Sequence, residues 1–197
     1  MPQRRRIIVY ISTSADGYIA RPDGDVAWLD RPRPKGNYGM GEFYKSIDTI
    51  LWGRKTYDQG IAMGMKASLF PPGIKNYVFS RTATLGCPPS PTGGTPTRRD
   101  APPAGVHFEF VNTPVKEFTQ RLRAQKGKDI WMMGGAGIIA SFLDAGEIDE
   151  FQIHVIPKFI GEGIPLVSPR SREIPLELLE SKAFPDGVVL FRYGVKR

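Results

Sequence analysis

The amino-acid sequence predicts an α/β protein of one domain, with a largely parallel sheet and an antiparallel edge near the C-terminus. Its 197 residues suit a single domain that buries about two-thirds of the surface of the unfolded chain. Apolar runs of strand length alternate with helical patterns through most of the sequence, which favours parallel strands joined by helices. The last predicted strands have no helix between them, and this is typical of an antiparallel edge.

Strands are predicted from short apolar runs that end at glycine, proline or polar residues. In chain order these segments are residues 7–12, 49–52, 77–79, 106–111, 130–133, 150–157, 176–180 and 188–195. The segment 150–157 alternates apolar side chains with polar ones such as Gln152 and His154, as expected of a strand with two different faces. Pro185-Asp186-Gly187 predicts a turn between the last two strands.

Helices are predicted where apolar residues recur three and four positions apart. This spacing is found in residues 40–47, which start at Met40. Pro114 opens a second helix, in which Val115, Phe118 and Leu122 face inward; proline is tolerated in a first helical turn. Residues 136–143 form a third, short helix after a glycine pair.

Residues 82–105 fit no regular element. They contain six prolines and four glycines, so we expect an exposed, mobile loop inserted in a single domain formed by residues 1–197. Cys87 lies in this loop and is interpreted as an incidental thiol, because no partner base is near it in the sequence.

Composition narrows the possible functions. The formal net charge of +7 favours an anionic partner, such as nucleic acid or a phosphorylated small molecule. One cysteine excludes an intrachain disulfide, and two histidines on separate predicted strands, His107 and His154, give no metal-binding pattern, so no metal is expected.

No apolar run approaches the roughly 20 residues that cross a bilayer. The basic start of the chain leads into a strand rather than a signal peptide, so we expect a cytoplasmic protein without a membrane partner.

Glycine and cationic residues follow three predicted strands. Residues 135–140 read G-x-G-x-x-A between a strand and a helix, where glycine lets backbone approach a phosphate group. No acid follows about 20 residues later, which argues against a Rossmann domain. Gly53-Arg54-Lys55-Thr56 and Ser80-Arg81 follow two other strands. Together the turns predict a dinucleotide across one sheet edge, with Arg54 and Arg81 as candidates for a 2′-phosphate; taken alone, the glycines equally fit tight strand–helix packing.

Four segments together carry a family pattern. They are Ser12-Thr13-Ser14-Ala15-Asp16-Gly17-Tyr18-Ile19-Ala20 with Trp28-Leu29 after it, Gly53-Arg54-Lys55-Thr56-Tyr57, Gly134-Gly135-Ala136-Gly137, and Asp149-Glu150 through Gly161-Glu162-Gly163-Ile164-Pro165-Leu166. In this order they resemble the dihydrofolate-reductase-like superfamily, most closely the reductase domain of the bifunctional riboflavin-biosynthesis deaminase–reductase. The resemblance spans nearly the whole chain apart from residues 82–105. It implies a three-layer sandwich with a mostly parallel central sheet and an antiparallel C-terminal edge.

The resemblance also implies an NADPH-dependent reductase that acts on a small molecule and forms a homodimer. The cofactor residues that it implies are Ser12, Ile19, Ala20, Gly53, Arg54, Lys55, Thr56, Ser80, Arg81, Gly134, Gly135, Ala136, Gly137 and Ile138. It places Trp28 at the border of the substrate pocket and Asp16 near the pocket mouth. The candidate sources of the proton are water, Asp16 and Asp25. Two interpretations stay open for Asp16, a proton donor or the aspartate of a turn before Gly17, and two for Trp28, a contact to substrate or plain core.

Departures from the family bear on the substrate. Residues 30–35 hold prolines and cations where dihydrofolate reductases carry a pterin-binding acid, and residues 58–63 lack the aspartate–proline stretch of riboflavin-pathway reductases. The expected substrate is therefore a small heterocyclic or ribosylated compound, of which 5-amino-6-(5-phosphoribosylamino)uracil is one member. Two alternatives remain: a nucleic-acid or anionic-polymer binding module, and an NADPH-binding protein without catalysis. The aromatic residues lie in apolar strands rather than among cations, so no nucleic acid is expected.

Overall fold

An eight-stranded sheet forms the centre of the protein in the computed structural model, which describes residues 4–70, 72–81 and 102–196. The strands are β1 (Ile7–Ser14), β2 (Tyr18–Ala20), β3 (Ile47–Gly53), β4 (Lys75–Phe79), β5 (Phe108–Val111), β6 (Asp129–Gly134), β7 (Glu150–Ile156), β8 (Ile164–Pro165), β9 (Leu176–Ala183) and β10 (Val189–Val195). The helices are α1 (Met40–Ser46), α2 (Arg54–Ala62), α3 (Val115–Ala124) and α4 (Ala136–Asp144), with short 3₁₀ turns at Ala27–Leu29, Asn37–Gly39 and Ala67–Leu69.

The order of strands in the main sheet is β5-β4-β3-β6-β1-β7-β10-β9. From β5 to β7 all neighbours run parallel, and β10 runs antiparallel to both β7 and β9. β2 and β8 form a separate antiparallel pair. The predicted fold class, a mostly parallel α/β sheet with an antiparallel C-terminal edge, is confirmed.

Helices cover both faces of the sheet and make three layers. One core lies between the sheet and helices α3 and α4, where Val9 of β1 packs with Phe118 and Phe142. The other lies between the sheet and helices α1 and α2, and contains Phe43 and Tyr57. Because both faces of the parallel strands are covered, these strands read as continuous apolar runs in the sequence.

The sequence patterns missed three elements: α2, β2 and β8. Helix α2 buries Tyr57 and Ile61, four positions apart. Most of its other residues are polar and it contains Gly60, so its apolar periodicity is weak. The strands β2 and β8 are too short to leave a pattern. Most of the loop predicted for residues 82–105 lies outside the described residues, and so does Cys87. Within the described part of the chain, no helix is long and apolar enough to cross a membrane.

Candidate cofactor and substrate site

The carboxyl ends of the parallel strands lie along one edge of the sheet, where ligands bind in open α/β folds. Gly53 at the end of β3 stands opposite Phe79 of β4, and Trp52 stands opposite Gly134 of β6. Ser12 of β1 stands opposite His154 of β7. The turns that the sequence marked after β1, β3, β4 and β6 are therefore neighbours on this edge.

The turns after β3 and β6 touch each other closely. A Cβ atom on Gly53 would lie 3.2 Å from the carbonyl oxygen of Gly134 and 3.2 Å from Cγ2 of Ile138. A Cβ atom on Gly135 would lie 3.1 Å from Oγ1 of Thr56. Gly134 has φ +106°, a backbone conformation that favours glycine, and the Gly134–Gly135 peptide bond is cis. Tight packing thus explains part of the glycine pattern, and it brings two helix N-termini together.

Helices α2 and α4 begin at these two turns, with Gly53 and Gly135 as N-cap residues. Neither helix has a side-chain cap or an acidic residue in its first turn, whereas the first turns of α1 and α3 contain Glu42 and Glu117. The first turns consist of Arg54, Lys55 and Thr56 in α2 and of Ala136, Gly137 and Ile138 in α4. Uncapped N–H groups and the positive end of the helix dipole attract an anion. The first turns of α2 and α4 together form a cradle of backbone N–H groups, which fits the pyrophosphate of a dinucleotide.

Strand β2 borders this cradle on the side of β1. Cδ1 of Ile19 lies 3.8 Å from the position of a Cβ on Gly135, and Ala20 is buried in the pair with β8. Ser168, which no motif indicated, also reaches it: its N–H donates to the carbonyl of Ala136 at 3.2 Å. Its only sequence signal is its place just after the Pro165-Leu166 end of a family motif.

The cations at the edge differ in how they are held. Nε of Arg54 donates to both carboxylate oxygens of Asp58, at 2.8 and 2.9 Å, and the guanidinium lies 5.5 Å from the ring centre of Phe110. Its remaining N–H donors can bind another anion. Arg81 is exposed after β4, and the N–H of Ser80 before it donates to the carbonyl of Val111. Both arginines are on the side of β4 and β5, away from β1.

Asp16 holds two loops together. Its carboxylate accepts the hydroxyl hydrogen of Ser14 and the backbone N–H groups of Ile160 (3.1 Å) and Gly161 (2.8 Å). These donors, the Ser14 hydroxyl first, hold the pKa of Asp16 below its ordinary value. A proton donor needs its acid form near neutral pH, so the geometry favours the turn interpretation of Asp16.

Trp28 lies in the 3₁₀ turn Ala27–Leu29 and is 3% exposed. It packs with Ile156 and Val188, and Nζ of Lys158 donates to its carbonyl at 3.1 Å. Its Nε1 is buried without a hydrogen-bond partner. Trp28 therefore belongs to a core cluster and also presents an unsatisfied polar atom.

His154 lies on the same side of the sheet as Tyr10, whose ring centre is 4.7 Å away. It is 2% exposed, and its Nε2 lies 3.5 Å from the hydroxyl oxygen of Tyr10. Burial lowers the pKa of His154, against the opposite effect of the carbonyl groups of Tyr38 and Ile11, which favours the neutral imidazole. Sequence patterns placed His154 on a sheet face but gave no sign of the aromatic rings around it.

Comparisons with known proteins support the family resemblance that the sequence motifs indicate. A family model described as the RibD C-terminal domain matches residues 95–190. The uncharacterized protein YwjB of Bacillus subtilis (strain 168) is 36% identical over 187 residues, covering 94% of this chain and 96% of that protein. This chain belongs to the RibD C-terminal domain family. The family resemblance seen in the sequence motifs is thereby confirmed.

Solved structures share the RibD C-terminal fold. The deaminase/5-amino-6-(5-phosphoribosylamino)uracil reductase of Thermotoga maritima has a TM-score of 0.66 at 17% identity, covering 98% of this chain and 57% of that chain. Dihydrofolate reductase from Enterococcus faecalis, complexed with NADP(H), has a TM-score of 0.60 at 14% identity, covering 98% of this chain and 97% of that chain. At these identities the likeness establishes the dihydrofolate-reductase-like fold.

Proposed function

We propose that this protein is an NADPH-dependent reductase in riboflavin-type biosynthesis, acting on a small heterocyclic or ribosylated substrate. The observation that carries the proposal is the meeting of two uncapped, acid-free helix N-termini at the carboxyl edge of the sheet. The family supports a reductase, because the matched domain is that of RibD and a structural neighbour is named as a uracil-compound reductase.

Along the carboxyl edge of the sheet, from β4 toward β1, neighbouring residues would contact successive parts of NADPH. The turns at Gly53 and Gly135 would hold the pyrophosphate by backbone N–H groups, and Arg54 and Arg81 would hold the 2′-phosphate through guanidinium contacts. Ile19, with Ser12 and Ala20, would line the nicotinamide ring beside β1. NADPH supplies the hydride when bound. The chain supplies orientation and charge, and Asp16 positions the loop at residues 158–161 rather than donating the proton.

A homodimer formed through β9 is part of the proposal. This strand lies at the end of the sheet, and all eight of its residues are exposed. Leu176, Leu178 and Leu179 are 43%, 55% and 51% exposed. An exposed edge strand of eight residues that includes three leucines can pair with another chain, and a second copy presents the same edge. The cytoplasmic location predicted from the sequence also stays part of this proposal.

The cofactor is tested by fluorescence titration of the purified protein with NADPH and, separately, NADH. We expect micromolar binding of NADPH, at least about tenfold tighter than NADH, or about 1.4 kcal/mol. Arg81→Ala should remove most of this preference, because NADH lacks the 2′-phosphate. Arg121→Ala, which removes an exposed cation from α3, is the matched control. Absence of binding by either nucleotide contradicts the proposal.

The reaction is tested by adding 5-amino-6-(5-phosphoribosylamino)uracil to protein and NADPH and following loss of NADPH absorbance. Turnover identifies the substrate. Tight NADPH binding without turnover of this or related heterocycles would favour the non-catalytic alternative. Salt-sensitive binding of mixed RNA or DNA that NADPH does not compete would favour the nucleic-acid module.

A further inference from the structure

The segment after β8, residues 166–172, crosses from the start of β2 to the first turn of α4. The N–H of Leu166 donates to the carbonyl of Gly17, one residue before β2, at 3.2 Å. The N–H of Ser168 donates to the carbonyl of Ala136 in α4, also at 3.2 Å. The segment therefore bridges the strand proposed to border the nicotinamide and the helix proposed to hold the diphosphate.

The side chain of Ser168 lies beside the N-terminal end of α4. Its Oγ is 3.9 Å from the position of a Cβ atom on Gly137. Because the Cα–Cβ bonds of a helix tilt toward its N-terminus, this places the hydroxyl near the free N–H groups of the first turn. Gly53 of the other turn approaches the same helix at Ile138, so the hydroxyl and Gly53 border the first turn at different residues.

The hydroxyl of Ser168 has no hydrogen-bond partner within the described residues. The hydroxyl of Ser141, further along α4, instead donates to the carbonyl of Gly137 at 3.0 Å. The absence of a side chain on Gly137 leaves room for an oxygen atom between α4 and the Ser168 hydroxyl. An available O–H beside uncapped N–H groups adds a donor to an anion site.

Arg172 holds Ser168 in this place. Its Nη1 donates to the carbonyl of Ser168 at 2.9 Å, and its Nε donates to Oδ1 of Asp144 at the end of α4 at 2.8 Å. Its side chain is only 16% exposed. Arg170 binds the same carboxylate, so the charge of Asp144 is compensated and does not repel an anion at the start of the helix. Of these two arginines, Arg172 is the one that bonds to Ser168.

We propose that Ser168 binds the diphosphate of the cofactor, with its hydroxyl donating to a phosphate oxygen at the first turn of α4, and that Arg172 positions it there. The inference rests on the proposed function, because it adds a residue to the proposed NADPH site. Arg54 and Arg81, the candidates for the 2′-phosphate, lie on the side of β4 and β5. NADPH and NADH share the diphosphate, so Ser168 contributes equally to the binding of both.

Fluorescence titration with NADPH and with NADH separates these roles. Ser168→Ala should weaken both nucleotides at least about tenfold, because it removes a hydrogen bond to a charged group. Arg81→Ala should weaken NADPH alone. Ser141→Ala, which removes a hydroxyl bound within α4, is the matched control and should change neither affinity. Ser168→Ala keeps the N–H bond to Ala136, so thermal melts should show an unchanged fold.

The positioning role of Arg172 is tested in two backgrounds. Arg172→Ala should weaken both nucleotides in the otherwise unmodified protein and have no further effect in Ser168→Ala, because it acts through that hydroxyl. Arg170→Ala breaks only the other contact to Asp144 and should leave both affinities unchanged. An equal loss in the two backgrounds would show that Arg172 does not act through Ser168.

Failure of this inference and failure of the reductase proposal give different results. If NADPH binds and Ser168→Ala binds it equally well, the role of Ser168 is wrong and the reductase proposal stands. If NADPH does not bind, ADP is titrated by calorimetry, because it carries a diphosphate without nicotinamide or 2′-phosphate. Binding of ADP that Ser168→Ala weakens would support the diphosphate site and contradict the reductase proposal. Absence of ADP binding as well would overturn both.

Discussion

A single carboxylate, Asp16, joins two loops at the mouth of the candidate site. It accepts hydrogen bonds from Ser14 in its own turn and from Ile160 and Gly161, far along the chain. Lys158 in the same loop binds the carbonyl of Trp28. The carboxylate of Asp16 therefore helps to hold this loop beside the candidate site.

This contact predicts an acid-sensitive contribution to stability. The pKa of Asp16 is lowered in the folded protein, so its stabilising effect is complete above the ordinary aspartate value of about 4 and is lost as pH falls through the lower, folded value. We expect Asp16→Asn to lower the thermal midpoint at neutral pH and to have little effect in strong acid. Thermal melts at a series of pH values check this. A difference that stays constant at every pH would show that the carboxylate charge is not the cause.

Asp16 and Trp28 show which features of the candidate site could be predicted from the sequence. Asp16 and Trp28 could be located, because turn residues and family motifs are local patterns. Their partners could not: Ile160 lies 144 positions from Asp16, and no local pattern pairs residues at that distance. For the same reason local motifs marked the candidate phosphate cradle, which stays a prediction, whereas the rings of Tyr10, Tyr38 and Phe184 around His154 come from three distant parts of the chain and had no signal.

Among the elements, β7 is the strand that ties the two parts of the sheet together. It runs parallel to β1 on one side and antiparallel to β10 on the other. Its first residue, Glu150, is 2% exposed and binds Arg6 of the segment before β1 and Arg192 of β10. Asp149 beside it accepts the N–H of Ile7 at 2.8 Å. The Asp149-Glu150 motif thus lies at the amino edge, opposite the candidate cofactor site, and its contacts are structural.

Removing this buried acid should therefore destabilise the fold without touching the cradle. Glu150→Ala leaves two arginines without their shared partner, and we expect a loss of about 3 kcal/mol in the free energy of unfolding. Glu42→Ala breaks an ion pair whose side chains are 80% and 74% exposed, and should cost about 0.5 kcal/mol or less. Urea denaturation measures both. Equal losses would mean that Glu150 does not link the strands as its contacts indicate.

In the whole molecule, helices cover both faces of the main sheet, whereas its edge strand β9 is exposed. The β9–β10 hairpin also carries Phe184 and Asp186 at its turn, next to the candidate substrate pocket. Pairing of two β9 strands would cover the exposed leucines and make the hairpin more rigid.

Light scattering during size-exclusion chromatography tests this arrangement. We expect twice the chain mass for the unmodified protein and a shift toward the single chain for Leu178→Lys, because a charge at the centre of the paired edge cannot be buried without a partner. Met63→Lys, at a side chain that is 61% exposed after α2, should leave the mass unchanged. If the unmodified protein is monomeric at every concentration, the edge does not pair. If Leu178→Lys is still dimeric, the copies meet elsewhere.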